Sequence, residues 1–123
     1  MLNESQQEAV ERFIQSRKGF VGIYSTADTE HKWPWYKKLV GRSFITHPKI
    51  QTARLNVAPK GRQLPGLSRM PDKFLWTDEW YQFSDAHVEE LNYLLSVDES
   101  SYNPSVKHKT TLFNGIGKFH TYC

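Results

Sequence analysis

The hydrophobic and polar positions at the start of the chain predict an amphipathic helix. Apolar side chains within residues 9–14 recur at helical spacing, while the polar positions between them face water. Two pairs of residues could supply the N-terminal cap, namely Asn3 with Gln6 or Ser5 with Glu8. Gly19 can take the left-handed conformation that commonly follows a helix, so we expect the helix to end there.

A short apolar run at residues 20–24 follows the helix directly. It lacks the alternation of apolar and polar residues found in a strand with one solvent-exposed face. A continuous apolar run is typical of a parallel strand buried on both faces. We expect it to be the central strand of a sheet. The polar residues 25–30 leave its carboxyl end, the edge at which open α/β sheets place their ligands.

The rest of the chain reads as one short helix followed by strands. Pro34 suits the first turn of that helix and Gly41 its end. A loop rich in Pro, Gly and Arg covers residues 58–71. The predicted strands are 50–57, 74–83, 91–97, 110–113 and 118–122, the last two separated by a turn at 114–117.

A helix that leads into a parallel-type strand is half of a βαβ unit, so the fold class is α/β with a mostly parallel sheet. The strand that should precede the first helix is absent, and the chain stops within or just after a predicted strand. We therefore expect residues 1–123 to form one partial domain, incomplete at both ends. An exposed strand edge would then favour self-association.

Composition narrows the function classes. With 38% hydrophobic and 24% charged residues, the chain has the make-up of a folded protein and not of a disordered one. The net charge of +3 arises from scattered lysines and arginines without a basic stripe, which argues against nucleic-acid binding. Cys123 is the single cysteine, so an internal disulfide and a cysteine-rich zinc site are excluded.

Targeting signals are missing from the sequence as it stands. No apolar run approaches the roughly 18 residues of a membrane span, and the polar N-terminus does not fit a secretory signal. We expect a cytoplasmic protein that does not bind membranes.

Several motifs occur in the order found in one known family. They are Gly-Phe-Val-Gly-Ile-Tyr-Ser-Thr-Ala-Asp-Thr at 19–29, Trp-Pro-Trp-Tyr at 33–36, Leu-Val-Gly at 39–41, His-Pro at 47–48, Asp-Glu-Trp-Tyr at 78–81, Asp-Glu-Ser-Ser-Tyr at 98–102 and Gly-Ile-Gly at 115–117. Through these motifs the chain resembles the ThuA-like, or trehalose-utilisation, family over essentially its whole length.

The resemblance implies a three-layer fold of the class I glutamine-amidotransferase type, similar to flavodoxin, with a mostly parallel sheet between helices. It also implies a role in the catabolism of trehalose or related disaccharides, and relatives are described as candidate glycosyl hydrolases. Tyr24 stands where amidotransferases carry a cysteine nucleophile and where ThuA-like proteins usually show histidine. Because a phenol is a weak nucleophile at neutral pH, glutaminase activity is excluded.

Two carboxylates are the candidate catalytic residues. Asp28 follows the predicted central strand, and Glu79 lies in an aromatic-rich strand in which its neighbour Asp78 points to the opposite face. A glycosidase needs two carboxyl groups roughly 5 to 9.5 Å apart, so we expect Asp28 and Glu79 to form that pair. The alternative for Asp28 is that it caps the helix region near Trp33.

Polar and aromatic side chains form the predicted saccharide-binding set, since pyranose rings stack on flat side chains while their hydroxyls form hydrogen bonds. The set consists of Tyr24, Ser25, His31, Trp33, Trp35, Trp80, Tyr81 and His108. The alternative, that aromatics at helical or alternating spacing pack in the interior, is favoured for most of the aromatic members.

We expect no cofactor, although a divalent metal such as zinc is an alternative. The residues that could collect around it are His47, His108, Asp28 and Glu79, but no His-x-x-x-His or similar local pair supports it. The expected partner is a small-molecule saccharide. A second functional interpretation is a non-catalytic module that binds a saccharide or a protein partner, or an inactive fragment, with Tyr24 in place of histidine as the sign of lost chemistry.

Overall fold

A computed structural model describes residues 1–84 and 91–115, together with the backbone of 120–122. The chain divides into two compact units, Met1–Phe44 and Ile45–Cys123. The helices are α1 (Glu4–Gln15) and α2 (Pro34–Val40), with 3₁₀ turns at Tyr24–Asp28, Pro59–Gln63 and Glu99–Ser101. The strands are β1 (Phe44–Thr46), β2 (Gln51–Val57), β3 (Lys73–Asp78), β4 (Gln82–Phe83), β5 (Leu95–Asp98), β6 (Ser105–His108), β7 (Thr111–Asn114) and β8 (His120–Tyr122).

The first predicted helix is confirmed as α1, and its cap is the first of the two alternatives. The side chain of Asn3 accepts a hydrogen bond from the backbone of Gln6, whose own side chain accepts from the backbone of Asn3, each at 3.0 Å. The predicted end at Gly19 is wrong. Arg17 takes the left-handed conformation, with φ of 65°, and donates its N–H to the carbonyl of Ile14. The chain therefore leaves the helix two residues earlier than expected.

The predicted central strand at 20–24 is wrong. Its backbone is extended at Ile23 but belongs to no sheet, and Tyr24 already starts a 3₁₀ turn with φ of 52°. The side chains of Val21 and Ile23 are 84% and 78% exposed. A strand exists only where a neighbour completes the hydrogen-bond ladder, and within the described part of the chain no strand pairs with this segment.

The second helix is confirmed, beginning at Pro34 and ending at Gly41, where φ is 80°. It anchors the small core of the first unit. The rings of Trp33 and Tyr36 stack with centroids 5.6 Å apart, and both residues are buried. The hydroxyl of Tyr36 donates to the carbonyl of Thr26 at 3.1 Å, which ties the helix to the 3₁₀ turn before it.

The second unit is built on a four-stranded antiparallel sheet in the order β3-β2-β5-β8. Strands β6 and β7 form a separate antiparallel hairpin, and β1 pairs with β4. Ala53, Leu55, Trp80 and Val97 form the buried core of this unit.

The α/β class holds in the sense that helices and sheets are both present, but the predicted mostly parallel, three-layer arrangement is not found. All the pairings described for the large sheet and the hairpin are antiparallel. The physical reason is the connection between strands. A parallel pair needs a long crossover, usually a helix, whereas β2 is followed by a 3₁₀ turn and a loop that returns directly into β3.

Strand boundaries also differ from the predictions. The predicted strand 74–83 is interrupted, so residues 79–81 lie between β3 and β4 and are not subject to strand alternation. Strand β6 was not predicted, and the predicted turn at 114–117 lies partly outside the described residues. Among the described helices, none is long and apolar enough to cross a membrane.

Candidate functional site

Three polar side chains meet in the second unit where the chain passes from β3 to β4. The imidazole Nε2 of His47 lies 3.8 Å from Oε1 of Glu79, and the hydroxyl of Tyr81 lies 3.4 Å from Oε2 of the same carboxylate. The rings of His47 and Tyr81 are 5.9 Å apart. We call these three residues the acid-base cluster.

Local backbone features position each member of the acid-base cluster. Glu79 is the first residue after β3, and its backbone N–H donates to Oδ1 of Asp78 at 2.9 Å. Tyr81 follows two residues later, so its hydroxyl reaches back to the carboxylate of Glu79. His47 directly follows β1 and precedes the buried Pro48.

The hydrogen bond of the His47 ring determines which nitrogen carries the proton. Nδ1 lies 2.8 Å from the carbonyl oxygen of Pro48, and a carbonyl can only accept. Nδ1 therefore donates, and Nε2 is left facing the carboxylate of Glu79. An imidazole nitrogen opposite a carboxylate oxygen is an arrangement that can take up or release a proton.

The acid-base cluster is partly open to solvent. The side chains of His47 and Glu79 are 36% and 23% exposed, so a small molecule can reach them while the surrounding protein limits water.

In the first unit the structure brings two of the predicted site residues together. Nε2 of His31 lies 3.2 Å from Oδ1 of Asp28, and both side chains are about half exposed. Tyr24 is 74% exposed and Ser25 is also exposed. The predicted pocket was expected at the carboxyl end of a central strand. It is not formed in that way, because residues 20–24 form no strand.

The aromatic members of the predicted saccharide set have different environments. Trp80 is completely buried and donates its Nε1–H to the carbonyl of Gln51 at 2.7 Å. Trp33 is buried as well, and half-buried Trp35 stacks against it at 5.2 Å. Packing in the interior, the alternative considered from the sequence, thus describes Trp33 and Trp80.

The remaining predicted residues lie on separate elements. His108 lies half-buried on β6, opposite Thr111 of the hairpin. Asp28 belongs to the first unit and Glu79 to the second, so their pairing stays a prediction. Within residues 1–84 and 91–115, no three His, Cys, Asp or Glu side chains gather closely enough to hold a metal ion.

A family model for trehalose utilisation, ThuA, matches residues 1–120. The chain belongs to the ThuA family. Neither the curated proteins nor the solved structures gave a match. The resemblance inferred from the motifs is thereby confirmed, and with it a role related to trehalose utilisation.

Within this ThuA-family chain, sequence reasoning missed the contact between His47 and Glu79. His47 and Glu79 were grouped only as alternative metal ligands, and Glu79 was paired with Asp28 for catalysis. Glu79 and Tyr81 are only two residues apart, so the sequence already placed their side chains within reach of each other. No local spacing predicts the contact of either residue with His47, which lies far from both along the chain.

Proposed function

We propose that this ThuA-family chain acts on trehalose or a related disaccharide, with Glu79 as its acid-base group. The observation that carries the proposal is the 3.8 Å approach of His47 Nε2 to Glu79 Oε1 in a partly exposed position. Membership in a trehalose-utilisation family supports a sugar as the substrate. The arrangement of the side chains supplies the chemistry.

The spacing within the acid-base cluster suits a sugar hydroxyl. A separation of 3.8 Å is too long for a direct hydrogen bond, but a hydroxyl oxygen about 2.8 Å from each atom can bridge Nε2 and Oε1. When both ring nitrogens of His47 carry a proton, Nε2–H donates to this hydroxyl, and the hydroxyl donates to Oε1 of Glu79. Glu79 can then remove a proton from the sugar, or return one to a departing oxygen, while the imidazole of His47 balances the charge.

Tyr81 has a positioning role in this proposal. Its hydroxyl lies 3.4 Å from Oε2 of Glu79, on the oxygen that does not face the imidazole. A hydrogen bond there steadies the carboxylate as it gains or loses a proton. Loss of the hydroxyl is expected to weaken catalysis without abolishing it.

If Asp28 and Glu79 act as a pair of catalytic carboxyl groups, the expected reaction is hydrolysis of a glycosidic bond. It requires a second carboxyl group, for which the sequence offers Asp28 as the candidate. Oδ1 of Asp28 lies 3.2 Å from Nε2 of His31, so an imidazole stands beside this carboxylate. If Asp28→Asn has no effect on turnover, the acid-base cluster works without a second carboxylate from the first unit.

The test is a product assay on trehalose and its keto derivatives, paired with calorimetric titration of the same sugars. Glu79→Gln is expected to lower kcat by roughly 10²-fold or more, because it removes the proton-transfer group at nearly constant shape. His47→Asn keeps a donor for the carbonyl of Pro48 but removes Nε2, so it should lower kcat while preserving the local backbone.

Glu8→Gln is the matched control, since Glu8 is an exposed carboxylate on α1 that pairs with Arg12 at the surface. It should keep wild-type rates. Wild-type turnover by Glu79→Gln would refute the assignment. Sugar binding by the unaltered protein without any product would favour the non-catalytic binding module instead.

A further inference from the structure

Trp76 is a large aromatic residue that the second unit leaves at its surface. It lies on β3, the outer strand of the sheet order β3-β2-β5-β8, and 55% of it is exposed. Tryptophan is highly buried on average, so a half-exposed indole on a regular strand needs an explanation.

Core packing does not supply that explanation. Trp76 lies opposite Ala53 on β2, and the buried core around Ala53 is completed by Trp80, which is fully buried. The partly buried hydrophobic residues packed against this core are Phe74 and Tyr102, and Trp76 is not among them.

The edge of the Trp76 indole is held by an acidic side chain. Its Nε1–H donates to Oδ2 of Asp78 at 3.3 Å, while Oδ1 of Asp78 accepts from the backbone N–H of Glu79 at 2.9 Å. The carboxylate of Asp78 therefore contacts both the exposed indole of Trp76 and the backbone nitrogen of Glu79, the proposed acid-base residue. This links the orientation of the indole to the position of Glu79.

We propose that Trp76 and Asp78 form a saccharide subsite, in which one pyranose ring stacks on the indole and its hydroxyls donate to the carboxylate. The apolar face of a pyranose matches a flat aromatic ring, and a carboxylate offers about four acceptor positions, of which two are used here. This inference rests on the proposed function, because it assigns the sugar on Trp76 to the same substrate on which Glu79 acts.

The spacing along the chain fits a disaccharide. Three residues of extended chain span at most about 11 Å between the Cα atoms of Trp76 and Glu79. A sugar ring on the indole therefore leaves the second ring, or the bond between the rings, within reach of the acid-base cluster. A monosaccharide would occupy only one of the two positions.

The test uses the full chain and the nuclear magnetic resonance signals of its four tryptophan indole N–H groups. The Trp76 signal is identified by its loss in Trp76→Phe. Titration with trehalose is expected to shift this signal in a saturable manner, and glucose should shift it at higher concentration. Saturable shifts confined to other tryptophans, or no shifts, would overturn the subsite.

Variants provide the second measurement. Trp76→Ala should raise the Kd for trehalose by roughly three- to tenfold, whereas Trp76→Phe should retain most of the affinity because a stacking ring remains. Leu75→Ala is the matched control, since Leu75 is 67% exposed on the opposite face of β3. An unchanged Kd in Trp76→Ala, or an equal loss in Leu75→Ala, would refute the subsite.

The subsite and the proposed function can fail separately. If trehalose shifts the Trp76 signal but Glu79→Gln keeps wild-type turnover, the subsite stands and the catalytic assignment is wrong. If Glu79→Gln loses turnover but Trp76→Ala keeps both KM and Kd, the catalytic assignment stands and the subsite is wrong.

Discussion

The carboxylate of Glu30 accepts a hydrogen bond from the backbone N–H of Leu2, with 2.6 Å between Oε1 and the nitrogen. Its second oxygen accepts from Nε2 of Gln7 at 3.0 Å. Glu30 is only 6% exposed and has φ of 51°, a backbone conformation that is unfavourable for glutamate. These bonds fasten the start of α1 to the loop before α2, and they offset the cost of that conformation.

Replacing Glu30 by glutamine should therefore destabilise the first unit. One acceptor oxygen becomes an amide donor, so either Leu2 or Gln7 loses its partner in a buried position. The free energy of unfolding, measured by urea denaturation, should fall by about 1 to 3 kcal/mol. Glu8→Gln, which alters an exposed ion pair, should change it by about 0.5 kcal/mol or less. Equal effects of the two substitutions would contradict the anchoring role of Glu30.

Gly61 is required by a close backbone approach. A Cβ atom at this position would lie 2.6 Å from the carbonyl oxygen of Leu94, which also accepts the N–H of Ala58 at 2.9 Å. Gly61→Ala should lower the free energy of unfolding by about 1 to 3 kcal/mol, because backbone must move to make room. Gly66→Ala is the control, with nothing within 4 Å of its Cβ, and it should be neutral or slightly stabilising in thermal unfolding. A neutral Gly61→Ala would show that this contact yields easily.

The pKa of Asp98 is lowered chiefly by the hydroxyl of Ser100, which donates to Oδ1 at 2.6 Å, and further by the Ser100 backbone N–H and by Arg54. A carboxyl group whose pKa is lower in the folded than in the unfolded state stabilises the fold above the unfolded pKa. That contribution is lost as the pH falls through the folded pKa.

Ser100→Ala should raise the pKa of Asp98, which carboxyl carbon resonance titration can measure. The variant should also be less stable than the unaltered protein near neutral pH, and the difference should vanish in acid, where Asp98 is protonated in both. Ser68→Ala removes a hydroxyl that donates to the carbonyl of Pro65, away from Asp98 in sequence, and serves as the control. An Asp98 titration unaffected by Ser100→Ala would refute the assigned cause.

The exposed apolar segment 20–23 is expected to mediate self-association. Val21 and Ile23 are largely exposed, and residues 19–22 form no backbone hydrogen bond among the described residues. Val21→Lys should shift the protein towards monomer in sedimentation velocity experiments, because a charged side chain within the exposed apolar segment opposes its burial against another copy. Leu112→Lys alters another exposed apolar residue and should leave association unchanged. A monomeric unaltered protein at all concentrations would contradict this expectation.

The sequence by itself determined the elements whose cause is local. The cap formed by Asn3 and Gln6 involves residues three positions apart, and the helix from Pro34 to Gly41 is bounded by residues whose own φ preferences start and stop it. The motifs that identify the ThuA family are likewise contiguous stretches of chain, and the match over residues 1–120 confirmed them.

Only the tertiary structure decided which distant residues become neighbours. Hydrophobic periodicity indicates that a segment suits a strand, but it does not identify the strand with which it pairs. Residues 20–24 were therefore expected in a parallel sheet, yet they form no strand. Strand β2 instead pairs antiparallel with β3 and β5. Likewise, Glu79 contacts His47 because the strand is interrupted between β3 and β4. This interruption places the carboxylate beside the end of β1. Such contacts depend on the balance of hydrogen-bond pairing and apolar burial over the whole unit, and no local pattern encodes that balance.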